Sequence, residues 1–268
     1  MINIHYLKNL IRHYATSTFI DVLHSPFVFE LYESCIKKQA NPPAIFNEIE
    51  KVRTRLKQNK QTLNYVDYGA SSKQPGYGKK VKVSHLARKH LKPARIAEIL
   101  YYITHHYPYQ NIIELGTSLG ITSSYLAIGA QTHLNAKLHT IEGCSDVQGI
   151  ANEVFKQLHL GSAIHCHLGN FNSVLPKLLE EIEELDLLFV DGNHTYEATM
   201  NYFNQCLPKI QNSSVFIFDD IYWSKGMTRA WEEIKKHPKV TVTVDLFFIG
   251  LVYFRTQQVK QNFRLRIM

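Results

Sequence analysis

The chain has no apolar run approaching the roughly 20 residues that cross a bilayer. Its first residues, MINIHYLKNLIRHYATSTF, lack the uninterrupted apolar segment and small-residue cleavage site of a secretory signal. Cysteine is scarce: Cys35, Cys144, Cys166 and Cys206 are widely spaced and form no C-x-x-C pair, so neither a disulfide framework nor a zinc knuckle is expected. No internal repeat, low-complexity tract, RRM or KH pattern is present, and no G-x-G-x-x-G dinucleotide fingerprint. Membrane insertion and secretion are thereby set aside, and a reducing, cytoplasmic setting is expected.

What is there suffices for a full core, since 45% of the 268 residues are hydrophobic. The net charge of +7 is unevenly spread. Residues 1–110 hold 17 Lys and Arg against 7 Asp and Glu, a formal +10, whereas residues 111–268 hold 13 against 16, a formal −3. The densest basic stretches, KVRTRLKQNK at 51–60 and KQPGYGKKVKVSHLARKHLKPAR at 73–95, could meet phosphates or an anionic surface. A solvated helix face followed by a basic loop is the preferred account, since no RNA-binding signature accompanies the charge.

From residue 111 short apolar runs alternate with longer amphipathic stretches. NIIEL precedes GITSSYLAIGA, KLHTIE precedes DVQGIANEVFKQLHL, SAIHCHL precedes FNSVLPKLLEEI, LDLLFV precedes TYEATMNYFNQCL, and SSVFIF precedes SKGMTRAWEEIKKH. Such strand-then-helix units predict an α/β fold with a Rossmann-like, doubly wound sheet. In VTVTVDLFFIGLVYFR two β-rich runs leave no room for a helix, so they are expected to pair as a terminal antiparallel hairpin, giving seven strands. Before residue 111 the pattern predicts helices near 3–14, 26–38, 43–59 and 94–106, a short strand near 64–68 and a loop over 69–82. The expected division is a basic, mostly helical extension over 1–93 and an α/β domain over 94–268.

In an open α/β sheet, ligands bind beyond the carboxyl ends of the strands, which makes strand-end residues the ones to read. The first strand runs into Glu114-Leu115-Gly116-Thr117-Ser118-Leu119-Gly120 just before a helix. Glycines there let the backbone approach a ligand, and helix-start N–H groups can receive oxygens, although an ordinary strand-to-helix turn looks much the same. The second strand ends in Glu142-Gly143, where a carboxylate can accept two ribose hydroxyls or merely cap the next helix. At this separation the two signals favour an adenosine-containing ligand. NYVDYGAS at 64–71 also runs from a strand into an acid and a glycine, but a basic loop follows rather than a helix. It is read as a turn that could border the pocket.

The fourth strand of the series ends in Asp191 and the fifth in Asp219-Asp220, so neighbouring strands would bring three carboxylates to one rim. Such a cluster repels itself unless a cation neutralises it, and an all-oxygen set suits Mg²⁺, Ca²⁺ or Mn²⁺. Capping of the following helix by Asp191, with Asp219 or Asp220 turned to solvent, is the alternative account, and metal binding is placed ahead of it. His194 lies three residues past Asp191, placed to take a proton from a hydroxyl. Tyr222 and Trp223 could wall a substrate or pack on the sheet.

Taken together, ELGTSLGITSSYLA, TIEG, LDLLFVDGNHTYE and SVFIFDDIYW resemble class I S-adenosylmethionine-dependent methyltransferases, most closely the metal-dependent O-methyltransferase branch typified by catechol O-methyltransferase. The resemblance covers roughly residues 94–256. Upstream, HSPFVFELY and VDYGAS resemble segments of methyltransferase-like proteins of Bacteroidetes. The resemblance implies that Glu114, Gly116, Thr117, Ser118 and Gly120 form the methionine-side loop, that Glu142 and Gly143 hold the ribose, and that Gly169 and Asn170 lie near the adenine. Asp191, which would also border the cofactor, Asp219 and Asp220 fall where that branch places its metal ligands. His194 stands where the catechol enzyme carries its basic lysine, and Asp220 where an asparagine is usual. The chemistry implied is methyl transfer to a hydroxyl of a small molecule, with Asp191 and His194 as the catalytic pair.

Other readings stay open on the residues alone. An RNA methyltransferase would use the basic N-terminal half, and a catalytically idle relative would use it for interaction. A nicotinamide-dependent oxidoreductase could share the fold, though its glycine fingerprint is missing. A homodimer is left open as well.

Overall fold

Residues 4–19, 24–66, 68 and 78–267 are described by a computed structural model. They form two compact units, one built from Met1–Lys37 together with Leu179–Met268, the other from Lys38–Leu178.

The first unit opens with α1 (Ile4–Thr16) and α2 (Pro26–Leu31), the latter continued by a π-helical turn over Tyr32–Ile36. Ser25 caps α2 by accepting the N–H of Val28 at 3.4 Å, and Pro26 occupies the first turn, where a missing N–H costs nothing. Phe27, Val28 and Leu31 are buried on its inner face.

The second unit contains α3 (Ile45–Gln58), an antiparallel pair β1 (Thr62–Val66) and β2 (Gly78–Lys82), α4 (Val83–His90) and α5 (Ala94–His106). There follow β3 (Asn111–Leu115), α6 (Ile121–Ala130), β4 (Lys137–Glu142), α7 (Ser145–Gln157) and β5 (Ile164–Leu168), and then α8 (Phe171–Glu181). Strands β3, β4 and β5 are parallel, with Glu114 opposite Thr140 and Thr140 opposite Cys166. Parallel neighbours need a crossover, which α6 and α7 supply. Small residues let α6 bury nearly its whole surface, and Thr104 of α5 donates its hydroxyl to the Leu126 carbonyl at 3.0 Å.

The first unit resumes with β6 (Leu185–Val190), α9 (Tyr196–Cys206), β7 (Ile210–Asp219), α10 (Lys225–Lys236), β8 (Val242–Asp245), β9 (Ile249–Tyr253) and β10 (Gln261–Arg264). All six residues of β6 are buried, the mark of a strand covered on both faces. Strands β6 and β7 are parallel with Val190 opposite Phe218, so Asp191 and Asp219 leave the sheet at the same end. Strand β9 runs antiparallel to both β7 and β8, and β10 lies parallel to β8.

The architecture is α/β with mostly parallel strands, and its count departs from expectation. Among the described residues three sheet strands lie in one unit and five in the other, beside the separate β1–β2 pair, where seven sheet strands were expected. The addition is β10, four residues on an edge with little β-branched character. The loop expected over 69–82 ends in strand β2, whose GKKVK is too uniformly charged to show alternation; residues 69–77 of it lie outside the described residues. Helix α4 was hidden by the same charge, although Val83, Leu86 and Ala87 make its buried face at helical spacing.

Candidate active site

In the second unit the strand ends of β3, β4 and β5 each turn through a glycine with positive φ or lie beside one. Gly116 has φ of 110°, Gly120 81° and Gly169 149°, and Ser118 is drawn into the left-handed region at 50°. The turn after β3 is pinned to β4, because the N–H groups of Gly116 and Thr117 donate to the Ile141 carbonyl at 3.0 and 3.2 Å. Gly120 then starts α6.

Glu142 ties these loops together. Its Oε2 accepts the N–H of Ser118 and its Oε1 that of Cys144, both at 2.9 Å. Burial raises its pKa above the ordinary carboxylate range, opposed by the N–H groups of Cys144, Ser118 and Gly143. A carboxylate fixed this way at a half-buried strand end can still offer lone pairs to two hydroxyls. The Gly169 N–H donates to the Glu142 carbonyl at 2.9 Å, which holds the β5 loop beside it. Asn170 is exposed, and its Oδ1 accepts the Asn172 N–H at 2.9 Å at the start of α8.

Glu114 lies deeper than the sequence suggested. It is fully buried, accepting from the hydroxyls of Ser123 and, at 2.7 Å, Thr140; Thr140 in turn pairs with Thr117 at 2.6 Å. Its carboxylate thus braces the loop from beneath.

In the first unit, Asp191 follows β6, Asn193 turns with φ of 46°, and Thr195 caps α9 by accepting the Ala198 N–H at 3.2 Å. Asp219 ends β7 at 2% exposure, and Asp220 adopts φ of 54°, a left-handed conformation that Asp tolerates better than most residues. One carboxylate oxygen each from Asp191 and Asp219 and one ring nitrogen of His194 lie within 4.8 Å of one another. Nε2 of His194 is 3.7 Å from Oδ1 of Asp191 and 3.9 Å from Oδ2 of Asp220. The set that converges among the described residues is therefore Asp191, His194 and Asp219, with Asp220 beside the imidazole rather than in the set.

Tyr222 does not wall a substrate site. It is 4% exposed and donates its hydroxyl to Oδ2 of Asp245 at 2.5 Å. Trp223, by contrast, is 53% exposed. Sequence reasoning missed Tyr6 on α1: burial, then the charges of Asp220 and Asp219, raise its phenol pKa, which places it in the field of the acidic cluster. Only the tertiary fold brings it there, so no local signal could have found it.

Residues 113–221 match a family described as "Methyltransferase domain". The match spans 109 of the 268 residues. The matched segment holds the glycine turns, Glu114, Glu142, Asp191, His194, Asp219 and Asp220, and its fold is that of solved S-adenosylmethionine-dependent methyltransferases. The O-methyltransferase TomG of Streptomyces achromogenes, involved in tomaymycin synthesis and solved with S-adenosylmethionine, is 19% identical over 62% of this chain and 82% of its own, with a TM-score of 0.54. The S-adenosylhomocysteine-bound methyltransferase PaMTH1 of Podospora anserina is 13% identical over 87% and 97%, with a TM-score of 0.60. An O-methyltransferase of Bacillus cereus, also with S-adenosylhomocysteine, is 17% identical over 88% and 100%, with a TM-score of 0.55. No curated protein matches the chain. Among the described residues no helix is long and apolar enough to cross a membrane.

Proposed function

We propose that the methyltransferase uses S-adenosylmethionine to methylate a hydroxyl of a small molecule, assisted by a divalent cation. The observation that carries this reading is the convergence of Asp191, His194 and Asp219 at the ends of β6 and β7. A small-molecule acceptor is supported by the likeness to the tomaymycin-synthesis enzyme. Residues 94–268 are taken as the catalytic domain and 1–93 as its extension. Four free thiols suit work in the cytoplasm.

The cofactor supplies a sulfonium methyl group that passes in line to the acceptor oxygen. This chain's part is to hold and orient. Glu142, fixed by the Ser118 and Cys144 N–H groups, accepts the ribose hydroxyls. Gly116, Thr117, Ser118 and Gly120 present backbone to the methionine portion, with Glu114 beneath them. Gly143, Gly169 and Asn170 border the adenine, and Asp191 serves the acceptor. The positive-φ turns and the doubly anchored carboxylate fit such a group.

A divalent cation held by Asp191, Asp219 and a ring nitrogen of His194 would make the acceptor hydroxyl more acidic. With a nitrogen among the donors, Mn²⁺ suits the set better than Mg²⁺ or Ca²⁺, which favour oxygen throughout. A ring nitrogen engaged as a ligand cannot also receive the acceptor's proton, so the two roles written for it exclude each other. Activity abolished by EDTA and restored by Mn²⁺ makes His194 a ligand. Activity that survives EDTA but is lost in His194→Ala makes it the proton acceptor.

The reading as a whole is tested by calorimetric titration of S-adenosylhomocysteine into the full chain, with Mn²⁺ and with EDTA, beside Glu142→Ala. Micromolar binding that the variant loses is the expected result. Absence of binding in both buffers would overturn the assignment.

A further inference from the structure

Tyr68 belongs to the segment upstream of the methyltransferase domain, yet it meets the loop that carries Glu142. A Cβ built on Gly143 would lie 2.7 Å from Cδ2 and 3.0 Å from Cε2 of Tyr68. The edge of the phenol ring therefore rests on the backbone immediately after Glu142, and a larger residue at 143 would displace it. Even so, Tyr68 remains 41% exposed, so this contact leaves much of the ring uncovered.

The chain leading to Tyr68 is fastened to the same loop. The Asn64 N–H donates to Oδ2 of Asp146 at 2.8 Å, the Cys144 thiol donates to the Asn64 carbonyl at 3.3 Å, and the Val66 N–H donates to Cys144 Sγ at 3.4 Å. Strand β1 is thus tied to residues 144 and 146, and Tyr68 follows two residues after the last of these ties.

In a nucleoside the base is attached to the carbon next to the one bearing the 2′-hydroxyl. A carboxylate that grips the ribose hydroxyls therefore brings the base to within one side chain of itself. We infer that Tyr68 is a cofactor-binding residue whose ring packs against the adenine, and that residue 143 is glycine because the ring must reach that backbone. Purine faces stack on aromatic side chains whatever their edge chemistry, and the phenol ring supplies such a face at low conformational cost. The inference rests on the cofactor reading of Glu142. It gives strand β1 a task in the site, that of carrying Tyr68 to the pocket wall.

The test uses the full-length chain with S-adenosylhomocysteine and adenosine as separate probes, on wild type, Tyr68→Ala, Tyr68→Phe, Tyr68→Trp and Glu142→Ala. Tyr68→Ala should weaken both probes about tenfold at an unchanged melting temperature, while Tyr68→Phe stays within about twofold of wild type. Tyr68→Trp should add an indole emission that either probe quenches. Wild-type affinity in Tyr68→Ala, with binding still lost in Glu142→Ala, overturns the role of Tyr68 and leaves the cofactor site standing. A loss in Tyr68→Ala that neither aromatic replacement restores, or one accompanied by a lowered melting temperature, overturns it too. If wild type binds neither probe, the cofactor reading falls and this inference with it.

Discussion

Nδ1 of His13 lies 3.2 Å from Oδ1 of Asp245, joining residues 232 positions apart in the sequence inside one compact unit. Both groups are 2% exposed. The other ring nitrogen of His13, Nε2, lies 3.0 Å from the Leu265 carbonyl. Asp245 also accepts from Tyr222 at 2.5 Å and from Nε of Arg264 at 3.1 Å. Helix α1 is thereby bolted to the end of β8.

Removing His13 takes the partner from Oδ1 of Asp245 and from the Leu265 carbonyl inside the core, while Arg264 still faces Oδ2 of Asp245. His13→Ala should cost about 3 kcal/mol of stability, read as a shift of the urea midpoint. Asp245→Asn should be milder, because the amide retains an acceptor. Burial pushes the Asp245 carboxyl up, yet hydrogen bonds from His13 and Tyr222 outweigh it and hold the pKa below its ordinary value. The folded state therefore binds fewer protons than the unfolded one. The stability this provides is complete above the ordinary carboxylate range and is lost as pH falls through the depressed value. In Asp245→Asn that acid-side slope should flatten.

His139 on β4 stacks on His165 of β5 at 5.0 Å between ring centres and shares a 3.1 Å hydrogen bond with His167. Burial, then the neighbouring His165, His167 and Lys137, lower its pKa to about 4. Between that value and the ordinary histidine value near 6.5, the unfolded chain binds the extra proton. Stability should accordingly rise with pH across this window by roughly 2 kcal/mol and level off above it. The window differs from that of Asp245, so His139→Gln should flatten the curve between pH 4 and 6.5 alone. A thermal-melt series against pH reads both effects.

At the acidic cluster the donor set makes a choice between neighbours. Asp191→Ala and Asp219→Ala should each weaken Mn²⁺ binding at least tenfold and lower activity about 100-fold. Asp220→Asn should change Mn²⁺ affinity less than threefold, since Asp220 stands outside the converging set. Calorimetry with Mn²⁺ separates the outcomes: equal losses in all three variants would restore the all-aspartate set that the sequence suggested.

The sequence displayed the strand ends because a buried strand followed by a helix must change both hydrophobic period and backbone direction within a few residues. Those junctions are where Gly116, Glu142, Asp191 and Asp219 stand out. It did not display which side chains converge. Asp220 turns left-handed at the end of β7 and lies beside the His194 ring, a local twist with no compositional signal. Whether Tyr222 walls a substrate or packs on the sheet stayed open because its partner Asp245 is 23 residues away. Strand β2 and helix α4 were masked by lysines and arginines, whose charge shows nothing of the few apolar residues that dock them. The same masking hid how β1 is tied to the Glu142 loop.

Gly120 allows a prediction that separates two kinds of strain. Its φ of 81° disfavours any side chain, and a Cβ there would meet Cε1 of Phe155 at 2.8 Å and the Ala151 Cα at 3.2 Å. Gly120→Ala should therefore destabilise the chain by about 2–3 kcal/mol, partly from backbone conformation and partly from the clash with α7. Shortening the obstructing ring should relieve the second part only. In the Phe155→Leu background, the cost of Gly120→Ala should fall to about 1–2 kcal/mol, the share due to the left-handed backbone. Urea unfolding of the four-member cycle measures the difference. An unchanged cost in that background would show that the Phe155 ring contributes nothing and that backbone conformation, with the approach of the Ala151 Cα, requires glycine at the start of α6.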